Sequence, residues 1–158
     1  MNALSEAIGE LCKVIFPISE EYYHGNSNSS IAICTLSSID LLKKLATSEF
    51  LDNISIVGRL LSENKGIDSI IEYINKNQKI TTLILCGKEV WGHKAGHSLS
   101  QLHKNGVNTN NRIINSTSPD PYLTVSKSQI QYFQNNITLV NLINETNFDK
   151  ILDKIRNS

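Results

Sequence analysis

Four short runs of aliphatic and β-branched residues, at 31–36, 53–58, 79–86 and 137–143, alternate along the chain with segments whose apolar residues recur at helical spacing. Leu41, Leu42 and Leu45 form the first such stripe, and Ile67, Ile70, Ile71 and Ile74 the second. Ala95, Leu99 and Leu102 form a third that Gly106 should end in the αL conformation, and Phe148, Ile151, Leu152 and Ile155 a fourth, capped by Thr146 or Asn147. An unbroken apolar run such as Ile31-Ala-Ile-Cys suits a strand covered on both faces. Strands and helices in this order require right-handed crossovers and a mostly parallel sheet between two helical layers. The fold class is therefore α/β and Rossmann-like, with helices on both faces. Ligands of such sheets lie beyond the carboxyl ends of the strands, which puts the candidate site in the loops leaving Leu36, Gly58 and Cys86.

The length of 158 residues corresponds to one domain, with residues 31–158 as the α/β core. Residues 1–30 read as an N-terminal helix on Leu4, Ala7, Ile8 and Leu11, ending near Pro17, followed by a loop over 18–30. Residues 107–125 read as irregular, with a possible edge strand at 112–114 and Pro119 and Pro121 in a loop. Lys and Arg number 15 against 15 Asp and Glu, and only 19% of residues are charged. That balance argues against a nucleic-acid-binding stripe and against an electrostatic membrane anchor. No apolar run approaches the ~18–20 residues that span a bilayer, and Met1 opens an amphipathic segment rather than a signal peptide. The expectation is a cytoplasmic protein with no membrane insertion by this chain. Cys12, Cys34 and Cys86 form no CxxC pair, which argues against a disulfide framework and a thiolate zinc site.

Three of the four histidines, His93, His97 and His103, fall between Gly92 and Lys104. His93 and His97, at i and i+4, can share a helix face, so a small His-metal or nucleotide-binding enzyme is one reading. Without an HExxH arrangement, His97 and His103 read as solvated helix residues. His93 differs, because it lies between Gly92 and Gly96 where a central strand gives way to a helix. There it is either a ligand-bearing side chain on the rim or a histidine satisfied within the fold. Glu89, one helical turn earlier, is a candidate to take the second ring N–H of His93. The glycines Gly87, Gly92 and Gly96 fit neither GxGxxG nor GxxxxGK[ST], and no GxSxG elbow is present. The polar loop Ser62-Glu-Asn-Lys-Gly66 is either a simple turn or a clamp on a ligand's edge.

The segment Cys86-Gly-Lys-Glu-Val-Trp-Gly-His-Lys-Ala-Gly96, with Ser98-Leu and Leu102-His-Lys-Asn-Gly-Val107 after it, resembles the signature of the A subunit of tetrahydromethanopterin S-methyltransferase. Glu63-Asn-Lys-Gly-Ile67 and Leu83-Ile-Leu-Cys86 are similar to the same family, and the likeness runs from about residue 31 to residue 143. It implies a corrinoid-binding methyl carrier of methanogenesis and one-carbon metabolism, a methyltransferase component not catalytic alone and partnered by other subunits. The implied cofactor is a cobamide, cobalamin or a related corrinoid, with His93 as the lower axial ligand of its cobalt. Cys86, Gly87, Glu89, Trp91, Gly92 and Gly96 would surround that ligand, with Gly58, Leu60, Glu63, Asn64 and Gly66 supplying the neighbouring strand end and loop. His93-x-x-Gly96 matches half of the DxHxxG motif of other corrinoid proteins. Trp91 stands where the Asp would be, so the imidazole's partner must come from elsewhere. The family usually has Gln at the position of His97 and a Gly/Ala-rich stretch where this chain has Ser116-Thr-Ser-Pro-Asp-Pro121. Anchored members continue into a C-terminal transmembrane helix, whereas this sequence stops at Ser158. The resemblance therefore implies a homologue or domain lacking that anchor, which weakens a role in ion pumping. An interaction module without a cofactor is the remaining alternative.

Overall fold

The computed structural model describes residues 21–158. A five-stranded sheet is built from β1 (Tyr22–His24), β2 (Ile31–Cys34), β3 (Ile56–Gly58), β4 (Thr82–Gly87) and β5 (Thr138–Ile143), in the spatial order β1-β3-β2-β4-β5. The last four strands in that order are parallel, and β1 runs antiparallel to β3 at the edge. Among the described residues five α-helices follow in chain order: α1 (Ile39–Ala46), α2 (Lys65–Lys76), α3 (Ala95–Asn105), α4 (Lys127–Asn136) and α5 (Phe148–Arg156). A 3-10 helix, Glu49–Asn53, lies between α1 and β3. The α/β, mostly parallel sheet expected from the alternation is the one observed.

The period of two along the strands separates two cores. Ile31, Ile33, Ile84 and Cys86 face a cluster with Leu41, Leu42 and Leu45 of α1 and Ile151, Leu152 and Ile155 of α5. Ala32, Cys34, Leu83 and Leu85 face the opposite cluster, with Ile67, Ile71 and Ile74 of α2, Leu99 and Leu102 of α3, and Ile130 and Phe133 of α4. Each fully buried Ile or Leu contributes roughly 1.5–3 kcal/mol by leaving water, so the two cores fix the register of every parallel strand. No helix among the described residues is long and apolar enough to cross a membrane.

Three features differ from the expectation. Residues 22–24, expected in a loop, form β1, which pairs Tyr22 with Gly58 and His24 with Ile56. All three of its residues are exposed and its stability is in backbone bonds, so there is no alternation to read. Helix α4 leaves little trace in the sequence because its stripe holds only Ile130 and Phe133 among amides, although Ser126 and Gln129 close a capping box at its start. Gly106 ends α3 at φ +70°, ψ −152°, a region open to glycine but outside αL. The helix expected on Leu4, Ala7, Ile8 and Leu11 lies outside the described residues, whereas the Asn147 cap is present, its side chain accepting from Lys150 N at 3.1 Å.

Cys86 is buried, and loss of solvent, reinforced by the neighbouring Cys34, pushes its thiol far above the usual range. Since the thiolate is the nucleophile, native protein should leave Cys86 unmodified by iodoacetamide and urea-unfolded protein should alkylate it fully. Peptide mass mapping checks this, and labelling of Cys86 in the native state at the unfolded rate would contradict its placement.

Candidate functional site

The chain leaves β2 for β3 on one side and later crosses to β4 and β5 on the other, so the topological switch point lies between the carboxyl ends of β2 and β4. Serines close the floor there: Ser37 Oγ donates to Lys88 O at 2.8 Å, and Lys88 N donates to Ser38 Oγ at 2.8 Å. Gly87 makes this approach possible, since a Cβ on it would lie 2.1 Å from Thr35 O, and its φ of +82° suits glycine. Leu60 and Cys86 are fully buried, so they can serve a ligand only by shaping the layer beneath it.

Glu89 organises the turn from β4 into α3. Its Oε1 accepts from Val90 N at 2.7 Å and Gly96 N at 3.0 Å, and its Oε2 accepts from His97 N at 2.7 Å. A carboxylate on these N–H groups satisfies donors that the first turn of a helix leaves unpaired and complements its dipole. Gly96 lets the helix start approach, because a Cβ there would meet Leu36 Cδ1 at 2.9 Å and Glu89 Oε2 at 3.0 Å. Residues 91–94 are exposed, with Trp91 at 96%, Gly92 at φ +79° and Lys94 at φ +48°.

The partner of His93 is Glu63, which corrects the expectation of Glu89. Glu63 Oε2 lies 2.8 Å from His93 Nδ1, and Glu63 Oε1 accepts from Asp120 N at 3.0 Å. Glu63 is only 1% exposed, whereas the imidazole is 56% exposed. A carboxylate only accepts, so the ring hydrogen is assigned to Nδ1, and in the neutral imidazole Nε2 keeps an outward lone pair. Glu63 precedes α2, whose N-cap Asn64 accepts from Lys65 N through Oδ1 and donates through Nδ2 to Asp120 Oδ2 at 3.0 Å. Ser62 Oγ accepts from Gly66 N at 2.7 Å, which fixes the turn that carries Glu63.

The other expected residues separate. His97 is half-buried and its Nε2 accepts from Thr117 N at 3.2 Å, so that nitrogen is engaged in the fold rather than paired with His93 on a metal. His103 is not a solvated residue: its Nε2 donates to Ile137 O at 2.7 Å and its ring stands edge-on to Phe133 at 5.2 Å. Among the described residues no group of three or more His, Cys, Asp or Glu side chains could hold a metal ion. Gly58 and Gly66 line a separate, mainly apolar cavity of about 350 Å³ beside β3, with Tyr22, Arg59 and Tyr73. Asp120 belongs to the site although its segment reads as an irregular loop, and its only signal in the sequence is the pair of flanking prolines.

Chemically, the site offers one oriented imidazole nitrogen on open ground, suited to a single protein bond to a metal whose other ligands come with it.

Residues 13–158 match the sequence profile of the family described as tetrahydromethanopterin S-methyltransferase, A subunit. The chain is 33% identical over 141 residues to the A subunit of the putative methyltransferase Mtx of Methanosarcina barkeri, covering 88% of this chain and 67% of that one. It is 34% identical over 128 residues to the protein of that name from Methanosarcina acetivorans, covering 80% and 61%. Against the first-numbered A subunit of tetrahydromethanopterin S-methyltransferase from Methanothermobacter marburgensis the identity is 35% over 142 residues, covering 88% of this chain and 57% of the relative. The matched stretch thus spans between 57% and 67% of these relatives' own length. With the profile match running through β1 to α5 and across the Glu63–His93 pair, the chain belongs to the family of tetrahydromethanopterin S-methyltransferase A subunits.

Proposed function

We propose that the chain is a corrinoid-binding methyl carrier in which His93 Nε2 is the lower axial ligand to the cobalt of a cobamide. The observation that carries this reading is the buried Glu63 carboxylate on His93 Nδ1, 2.8 Å away, beneath a largely exposed ring. Imidazoles that ligate metals commonly donate their second N–H to a carboxylate, which fixes the tautomer and raises the basicity of the ligating nitrogen. A corrinoid would bring its cobalt already held by the macrocycle, so His93 Nε2 would suffice as the protein's share and no cluster of protein ligands would be required. The surroundings leave room for a bulky group, since nothing lies within 4 Å of the position a Cβ would take on Gly92. When bound, the cobamide supplies a cobalt centre that accepts and gives up a methyl group.

The residues of the chain do the remaining work. Glu63 keeps the hydrogen on Nδ1 and the lone pair on Nε2. Glu89 holds the start of α3, so that His93 stands on a turn anchored at both ends rather than on a free loop. The relatives' names extend the proposal to methyl transfer from a tetrahydromethanopterin donor within an assembly of other methyltransferase subunits. Residues for the donor and for a thiol acceptor are then expected on those partners.

Titration of the purified chain with cobalamin tests the reading by visible and paramagnetic-resonance spectroscopy. Wild type should show axial coordination by a protein nitrogen, and His93→Ala should lose that signature while retaining part of its affinity, because most of a corrinoid's buried area lies away from the axial bond. Absence of protein nitrogen ligation in wild type, or its survival in His93→Ala, would sink the assignment.

A further inference from the structure

Residues 116–125 cross from α3 to α2 as a strap fastened at both ends. At one end the Ser98 hydroxyl lies 2.7 Å from Ser116 Oγ and 2.6 Å from Ser118 Oγ, and all three serines are buried. At the other end Asp68 accepts from Thr124 N at 3.0 Å, Thr124 Oγ1 at 2.8 Å and Val125 N at 3.2 Å. Between them lies Pro119-Asp120-Pro121. Neither proline has an N–H, so the amide of Asp120 is the single main-chain donor of the three residues, and it goes to Glu63 Oε1. The carbonyl and carboxylate of Asp120 in turn take the two contacts of Asn64 Nδ2, at 3.3 and 3.0 Å.

We propose that Pro119-Asp120-Pro121 is a brace whose one amide sets the rotation of the Glu63 carboxylate and, through it, the tautomer and orientation of His93. With Oε1 tethered to Asp120 N, turning the carboxylate away costs that hydrogen bond, which holds Oε2 on His93 Nδ1. The prolines fix their own φ angles, lower the freedom of the unligated loop and remove two donors that would compete for the Glu63 oxygens. Asp120 is thus a positioning residue that acts on His93 only through Glu63. The use of that orientation for cobalt rests on the function proposed above, whereas the orientation itself is a property of the protein alone.

The test reads the ¹⁵N shifts of the His93 ring in cofactor-free protein at neutral pH. Wild type should hold the hydrogen on Nδ1, and Asp120→Ala, which keeps the amide, should do the same. Asp120→Pro removes the amide and should move the tautomer ratio toward Nε2–H by roughly 5-fold or more, the size of one ordinary hydrogen bond. Should Asp120→Pro fail to fold, the Pro119→Gly/Pro121→Gly double variant decides, with a smaller shift in the same direction. A wild-type ratio in folded Asp120→Pro, an equal shift in Asp120→Ala, or no shift in the double variant when it is the deciding one would overturn the brace. These readings stand apart from cobalamin uptake: absent uptake with the tautomer pattern intact would overturn the cofactor reading and leave the brace in place.

Discussion

A Glu63→Gln variant will fold and present the wrong side of His93. Glutamine has the shape of glutamate, and its carbonyl oxygen can still accept from Asp120 N, which satisfies that donor at its present 3.0 Å. The amide nitrogen must then face His93 Nδ1, where the carboxylate oxygen now stands at 2.8 Å. Two donors cannot share that contact, so Nδ1 becomes the acceptor and the ring hydrogen moves to Nε2. An imidazole in that tautomer has no outward lone pair, and binding a metal through Nε2 first requires moving the hydrogen back against the introduced side-chain amide. Loss of such a supporting partner typically lowers metal affinity about 10–100-fold. Cobalamin affinity through protein nitrogen should fall by about that factor in Glu63→Gln, as read from the spectral titration, while the unfolding midpoint changes little. Glu63→Ala should behave differently, because it leaves the part-buried Asp120 N–H without its acceptor and empties the space of a side chain that is 1% exposed, at a cost of about 1–3 kcal/mol of stability. If Glu63→Gln binds as wild type does, with the same nitrogen signature, the carboxylate does not set the ligand.

The contrast between Glu89 and Glu63 shows what spacing can and cannot reveal. Glu89 lies four residues before His93, and a continuous helix would have brought the two side chains together. The chain does not form that helix: Gly92 and Lys94 take positive φ, and α3 starts only at Ala95, so the Glu89 carboxylate is drawn to the N–H groups of Gly96 and His97 instead. Glu63 lies thirty residues upstream and reaches His93 only because β3 and β4 flank β2 in one parallel sheet, so that both following loops rise from the same rim. Strand order decides that meeting, and no local pattern encodes it. The central strands β2 and β4 were legible because burial on both faces forces runs of apolar residues, and β5, half-buried at the sheet edge, keeps such a run, whereas β1 and α4 bury too little to leave a period. His97 and His103 carry a similar lesson, since a half-buried imidazole that meets a backbone group has the same sequence signal as one in water. Even the brace at Asp120 had a trace in the two prolines, although which amide it aims, and at what, needs the fold.

The glycines of the turn should divide sharply under substitution. Gly87→Ala is expected to cost about 4 kcal/mol or more, placing it among the largest effects of single substitutions. Its φ of +82° alone penalises an L residue by about 1–2 kcal/mol. The new methyl would in addition lie 2.1 Å from Thr35 O and 3.0 Å from Ser38 Cβ, and neither neighbour is the free end of a flexible chain. Relief requires the ends of β2 and β4 to part, which breaks the bonds between Ser37, Ser38 and Lys88 that close the switch point. Gly92 has a similar φ of +79° but open space around it, so Gly92→Ala should cost only the conformational term, about 1–2 kcal/mol. Urea unfolding of the two variants measures the difference directly, and costs within about 1 kcal/mol of each other would show that the approach of β2 to β4 is not what Gly87 serves. Two glycines five residues apart in one motif thus answer to different demands. Gly87 lets the sheet close beneath the site, and Gly92 keeps the turn beside His93 open.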